Sequence, residues 1–467
     1  MGSRKTRHHF LERRELYGPK VPEVDWEHDE FYQKDVRWHS GCVNSAEFNH
    51  TEDLLASGGD DLTTLLWRVT DLLHDHKPKP FAMKTEHTSN VFTHQFSVGS
   101  EQLFSGGNDG KVICHDLTTG DGRIFFETAG ESVYQLHSNF FNTHLLAVAN
   151  ENGSFILDDR SQDRITFVND NLCYSIQSCP TLPSLYTVTS RDDGLLFFDL
   201  RKPGKFVYNG KSFALYSNFP NGTDFLYTDC KWNEGGTALA LVKSLSCPVI
   251  IDFIADQSSS VCPQKVELFD NRYKNVHTIK SVEWLSDDIV ATGSDDFGVS
   301  VWKHKDIPDD MYSHPKPSVT KLLHMKSPRY LRIRSTMRHL EGHRSIVNHV
   351  KYSRKNGLLV SNGVERMVKC WSNYSIPGSY KKPYTRVMSD LEPPNRRDDD
   401  KEQRELGLAT YDDIFGGDED TAEDTEILKF FDDVVLKTHR LPIHHGSSSD
   451  SSDSDEEPID FGSYDLM

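Results

Sequence analysis

Residues 39–67, HSGCVNSAEFNHTEDLLASGGDDLTTLLW, decide the fold. An alternating run from Val43 to Phe48 leads into a second short apolar run that ends in small residues, Ser57-Gly58-Gly59. The acidic pair Asp60-Asp61 follows, and a third run closes on Trp67. Alternation with a period of two, broken by turn residues, predicts three strands in quick succession. The same order returns in HTSNVFTHQF and LFSGGNDGKVICHDL (87–117), in SVEW and IVATGSDDFGVSVW (281–302), and in GHRSIVNHVKY and LLVSNGVERMVKCW (342–371).

Aligned on the residue that ends the third strand, the units stop at Trp67, His115, Leu157, Phe198, Ile251, Trp302 and Trp371. The intervals are 48, 42, 41, 53, 51 and 69 residues, giving seven units whose period resembles that of WD-repeat blades. The expected fold is therefore all-β, a seven-bladed WD-repeat β-propeller over 33–374. Units 131–158 and 225–252 lack the acidic turn, and 172–199 lacks the small residues. In the first unit His39, Ser57, Asp61 and Trp67 fall where such repeats place a buried hydrogen-bonded set, with Asp orienting His and Ser joining His to the indole. His343, Ser361 and Trp371 recur in the last unit, with Glu365 in place of Asp. The third and fourth units lack the set, so apolar packing is expected to hold those blades. QKDVRW (33–38) is expected to close the ring as the outer strand of the last blade, because an open ring would leave a sheet edge bare. The basic stretch 303–338, with its KPKP, is expected to protrude as a loop.

Charge divides the chain. Of a net −19, residues 389–467 carry −17, with 24 acidic and 7 basic side chains. The region 375–467 is thus expected to be an acidic, largely disordered tail. Within it TEILKFFDDVVLK (425–437) spaces Ile427, Phe430, Phe431 and Val434 as one helical face. GSSSDSSDSDEEP (446–458) sets six serines among acids, a pattern suited to phosphorylation. Ahead of the propeller, 1–32 form an extension in which HHFLERRELYG (8–18) predicts a short helix with Phe10, Leu11 and Arg14 on one side. No run of about 18 apolar residues predicts a membrane span. Eight scattered cysteines, without CxxC pairs, predict reduced thiols and a cytoplasmic or nuclear setting.

Chemistry is hard to find. There is no phosphate loop, dinucleotide fingerprint, GxSxG or HExxH, and no His/Cys spacing for a metal. Asp192-Asp193, Asp287-Asp288 and Asp295-Asp296 sit at expected blade turns, where turn geometry accounts for them. The expectation is a non-enzyme with no cofactor and no metal. The basic stretch lacks interleaved aromatics, which argues against nucleic acid.

Two units end in Asp-x-Arg: ILDDR (156–160) and FFDLRKP (197–203). Together with SGGDD, GSDDF, LEGHRSIVNHVKY and ILKFFDDVV, these stretches resemble the DDB- and cullin-4-associated factors, WD-repeat substrate receptors. The resemblance implies a role in a cullin-4 RING ubiquitin ligase. It implies docking on a DDB-type adaptor through Asp158/Arg160 and Asp199/Arg201, aided by the 8–18 helix, and recruitment of a protein client that the sequence does not identify. In the first box Leu157 stands where Trp is common, and Asp159 replaces an apolar residue. Asp and Arg at i and i+2 of a strand would face one side. Read without the resemblance, each pair is a strand-exit arginine braced by its own aspartate, worth about 0–1 kcal/mol. The alternative function is a WD-repeat scaffold of a nuclear or chromatin-associated complex with no link to a ligase.

Overall fold

The computed structural model describes residues 24–381, apart from 159, 161–163, 167–170, 192–193, 202–226, 256–260, 277, 305–328 and 335. Phe10, Leu11 and Arg14, the 425–437 segment and the serine tract lie outside the described residues. Among the described residues the apolar runs form seven sheets, antiparallel but for one added strand, the blades of a β-propeller. Blade 1 is Val43–Phe48, Leu54–Gly59, Thr64–Arg68 and Phe81–Ala82, a meander from the central channel outward. Each third-strand anchor, from Trp67 round to Trp371, is at most 5% exposed. The small residues that end the second strand have a steric cause. A Cβ on Gly59 would lie 1.8 Å from the Cys42 carbonyl oxygen, and one on Gly363 would lie 2.0 Å from that of Ile346.

Tyr32–Arg37 pairs antiparallel with Met367–Ser372 and completes blade 7. It is held from both flanks. Lys34 is 1% exposed, and its Nζ donates to the carbonyls of Leu72 (2.7 Å) and Asp75 (2.5 Å) at the end of the short helix Val69–His74 in blade 1. Asp35 is paired with buried Lys369 and accepts from the Tyr380 hydroxyl at 2.8 Å. Ahead of this strand, Val24 and Trp26 are buried against Leu285, Val301 and Trp371. The closing strand is thus bonded to the first and last blades at once.

Blades 3 and 4 are joined by an apolar cluster that includes Ala147, Ile156, Tyr186 and Phe198. Blade 5 departs from expectation. Its sheet has five strands, because Arg329–Arg334 adds beyond Val261–Phe269 in parallel, from Gln264↔Arg329 to Phe269↔Arg334. The reading of 303–338 as a protruding loop is corrected at its two ends, while 305–328 lie outside the described residues. Lys303 ends the third strand of blade 6, Gly298–Lys303; Arg329–Arg334 is ladder-bonded; and Arg338 opens the outer strand of blade 6, Arg338–Glu341. Arg329, Arg332 and Arg334 are interspersed with Tyr330, Leu331 and Ile333, and charge is common on an outer strand.

Candidate functional site

At the rim where the second strand turns into the third, His39 Nδ1 lies 2.9 Å from Asp61 Oδ2, and its Nε2 lies 2.8 Å from Ser57 Oγ. Trp67 Nε1 donates to the same hydroxyl at 2.9 Å. In blade 7 His343 Nε2 and Trp371 Nε1 converge on Ser361 Oγ at 2.6 and 2.7 Å, and Glu365 accepts the Ser345 N–H at 2.8 Å. Blade 2 carries a set that motif reading missed. His87 meets Asp109 at 2.9 Å and Ser105 at 2.8 Å, and His115 stands in the tryptophan position with Nε2 2.8 Å from Ser105. The signal was available, since the second, third and fourth members follow the first by 18, 22 and 28 residues in all three blades. A histidine in place of tryptophan concealed it. Burial, then the neighbouring His87, pushes the His115 imidazole down to about 4. The acid pairs of blade 6 are likewise occupied: Asp295 is paired with fully buried Lys280, and Asp296 lies 3.5 Å from His339.

The opposite rim is where third strands end. Asp116, Asp158, Asp199 and Asp252 each follow a third-strand anchor, so blades 2 to 5 all carry a carboxylate there. Their partners differ. Asp116 accepts from the Thr118 N–H at 2.8 Å, and Asp252 is taken by buried His304 at 2.9 Å. In blades 3 and 4 the partner is an arginine two residues on. Arg160 donates to Asp158 from its backbone N–H (3.0 Å), Nε (2.9 Å) and Nη2 (2.6 Å). Arg201 repeats this on Asp199 at 3.0, 2.9 and 2.5 Å. The side chains of Arg160 and Arg201 are 57% and 66% exposed, whereas those of Asp158 and Asp199 are 22% and 5% exposed. Hydrogen bonds from Arg160 hold the Asp158 carboxyl at about 2, and those from Arg201 lower Asp199. Each arginine stands just past its strand, in a turn, rather than as the next same-side strand residue.

Between the rims runs a channel of about 510 Å³. Its waist takes one polar side chain from each blade: Glu47, Gln95, His137, Ser178, Lys231, Glu283 and Lys351. Lys351 bridges Glu47 (2.6 Å) and Glu283 (3.6 Å), Lys231 continues to Glu283 (3.0 Å), and His137 meets Ser178 at 2.8 Å. Burial opposes the charge on Lys351, but Glu47 and Glu283 outweigh it and raise its pKa. These cross-blade links brace the waist. Toward the His–Asp rim, Phe92 stacks on Tyr134 and Tyr134 meets Tyr174 at a tilt, with centroids 5.9 and 4.9 Å apart.

The WD domain, G-beta repeat family matches residues 32–68 and 334–372. The propeller domain of Cps50 (Swd1) from Myceliophteria thermophila superposes with a TM-score of 0.52 over 73% of this chain and 99% of that one, at 16% identity, a likeness of fold. The chain is a WD-repeat β-propeller. Over 98% of its length it is 29% identical to DDB1- and CUL4-associated factor 5 of Mus musculus and 28% identical to that of Homo sapiens, covering 46% of each. An 88-residue stretch is 47% identical to WD and tetratricopeptide repeats protein 1 of Mus musculus, 18% of this chain and 12% of that one. Over nearly its whole length, then, this chain is similar in sequence to a DDB1- and CUL4-associated factor. The chain spans about half the length of the factor 5 relatives.

Proposed function

We propose that this chain is a substrate receptor of a cullin-4 RING ubiquitin ligase, docking on DDB1 through Asp158/Arg160 and Asp199/Arg201. The observation that carries the reading is the matched pair of arginine-on-aspartate forks on adjacent blades, one rim, one geometry. A surface ion pair contributes little to stability, so the folded propeller has small use for them. Their value is orientation. Each aspartate fixes its guanidinium before the partner arrives, which lowers the entropy lost on binding and leaves planar donors for carboxylates or carbonyls. The similarity to DDB1- and CUL4-associated factor 5 supports DDB1 as the partner. The client would meet the other rim, near Phe92, Tyr134 and Tyr174, and the ubiquitin chemistry would belong to the RING subunit. The setting would be cytoplasm or nucleus.

Co-purification tests this. Arg160→Ala with Arg201→Ala should abolish DDB1 recovery at a melting temperature near wild type. Full recovery would reject the docking role and favour a scaffold without a ligase link.

A further inference from the structure

Blade 3 carries a second feature on the Asp-x-Arg rim. Its first strand, Val133–Ser138, turns into its second, Leu145–Asn150, through 139–144. At the tip Phe140 and Phe141 are 44% and 42% exposed, with rings edge to face at 5.8 Å. Phe140 also meets the His50 ring edge-on at 6.0 Å, yet both phenylalanines keep about two-fifths of their surface exposed against the hydrophobic effect, and the turn is built to hold them there. Asn139, 1% exposed, accepts the N–H groups of Phe141 (2.9 Å) and Asn142 (3.1 Å) through Oδ1. Its Nδ2 donates across to blade 4, to the Tyr186 hydroxyl at 2.6 Å and the Pro183 carbonyl at 3.0 Å.

Those anchors tie the turn to both forks. Leu145, which ends the turn, is the register partner of Asp158, and His144 is close enough to help lower the Asp158 pKa. On the other side, Tyr186 is the register partner of Phe198, the residue before Asp199. The aromatic turn is therefore bonded to blade 4 beside the second fork while rising beside the first.

We propose that Phe140 and Phe141 are the apolar anchor of the DDB1 contact, seated with the Arg160 and Arg201 forks on one docking surface. This rests on the proposed docking role and deepens it. Two exposed ion pairs give orientation and specificity but little net affinity, and interfaces draw most of theirs from a few buried aromatic anchors. The surface on DDB1 that fits is an apolar depression flanked by acceptors for two guanidinium groups. A preformed turn also costs little ordering on binding.

The test uses the full chain and purified DDB1, with wild type, Phe140→Ser/Phe141→Ser and Arg160→Ala/Arg201→Ala compared by calorimetry. The serine variant should bind roughly tenfold or more weakly, the scale of a hot-spot residue, with its melting temperature unchanged. Should that variant melt lower, Phe141→Ser alone takes its place. Binding of the serine variant within about twofold of wild type, with loss in the arginine variant, would overturn this inference and leave the docking role standing. Undiminished binding in both variants, or none in wild type, would overturn both.

Discussion

Arg201 is folded onto Asp199: its Nε lies 2.9 and 3.1 Å from the two carboxylate oxygens, and its Nη2 lies 2.5 Å from one of them. The carboxylate is thereby committed within the chain, and the guanidinium is what the rim displays. The sequence sets the braced-arginine and docking readings against each other, yet a braced arginine is also what the proposed docking needs.

Asp199→Ala should therefore weaken DDB1 binding nearly as much as Arg201→Ala, by about 1–2 kcal/mol, although the aspartate is 4% exposed. Asp252→Ala is the control. It strands buried His304 and should lower stability without changing affinity. Titration calorimetry beside thermal melts separates the two outcomes, and equal affinities for Asp199→Ala and wild type would refute the positioning role.

Ser361 is a hub with two buried donors or acceptors on one hydroxyl. Ser361→Ala leaves His343 and Trp371 without that partner and should cost about 1–3 kcal/mol in denaturant unfolding. Ser105→Ala should behave alike through His87 and His115.

Acid should draw stability out of blade 2. The folded pKa of His115 is about 4 against an ordinary 6.5, so as pH falls the unfolded chain takes up the proton before the folded one. Stability from this group is complete above 6.5 and drains toward 4, a loss of at most about 3 kcal/mol. Asp109, lowered to about 2 from 3.8, adds a second loss below 3.8. Buried His94, His137 and His349 are depressed as well, so melting temperature against pH should show a shared slope that His115→Gln makes shallower; a parallel profile would reject the assignment.

Lys351→Met should leave Glu47 and Glu283 facing each other across the channel waist. About 1–3 kcal/mol should be lost, less than for a sealed pair because these groups line a channel. Further substitution of Glu283 by Gln should recover part of the loss, and a double-mutant cycle checks the coupling.

Much of this fold was legible in the residues because each blade is local in sequence. Strand alternation, the close-approach glycines and the anchors at Trp67, Trp302 and Trp371 all lie within about one repeat of one another. What escaped depends on partners far along the chain or on substitution within the motif. His115 performs the tryptophan's hydrogen bond without its signature. Arg329–Arg334 pairs in parallel with a strand about 65 residues earlier, and no turn links them to announce it. The Glu47–Lys351–Glu283–Lys231 chain exists only once the ring is closed. At the rim, the Asp-x-Arg residues were visible but the turn holding Phe140 and Phe141 was not, since its order comes from Asn139 reaching into the next blade.

The closing strand also sets an order of events during synthesis. Tyr32–Arg37 leaves the ribosome about 330 residues before Met367–Ser372, its partner. At bacterial-to-eukaryotic elongation rates that is roughly 20 to 60 seconds of waiting. Through that interval blades 1 to 6 can condense one after another, while the earliest strand has no ladder to join. The nascent protein therefore carries an orphan edge for most of its birth, and a chain stalled before blade 7 is a sticky arc rather than a smaller propeller.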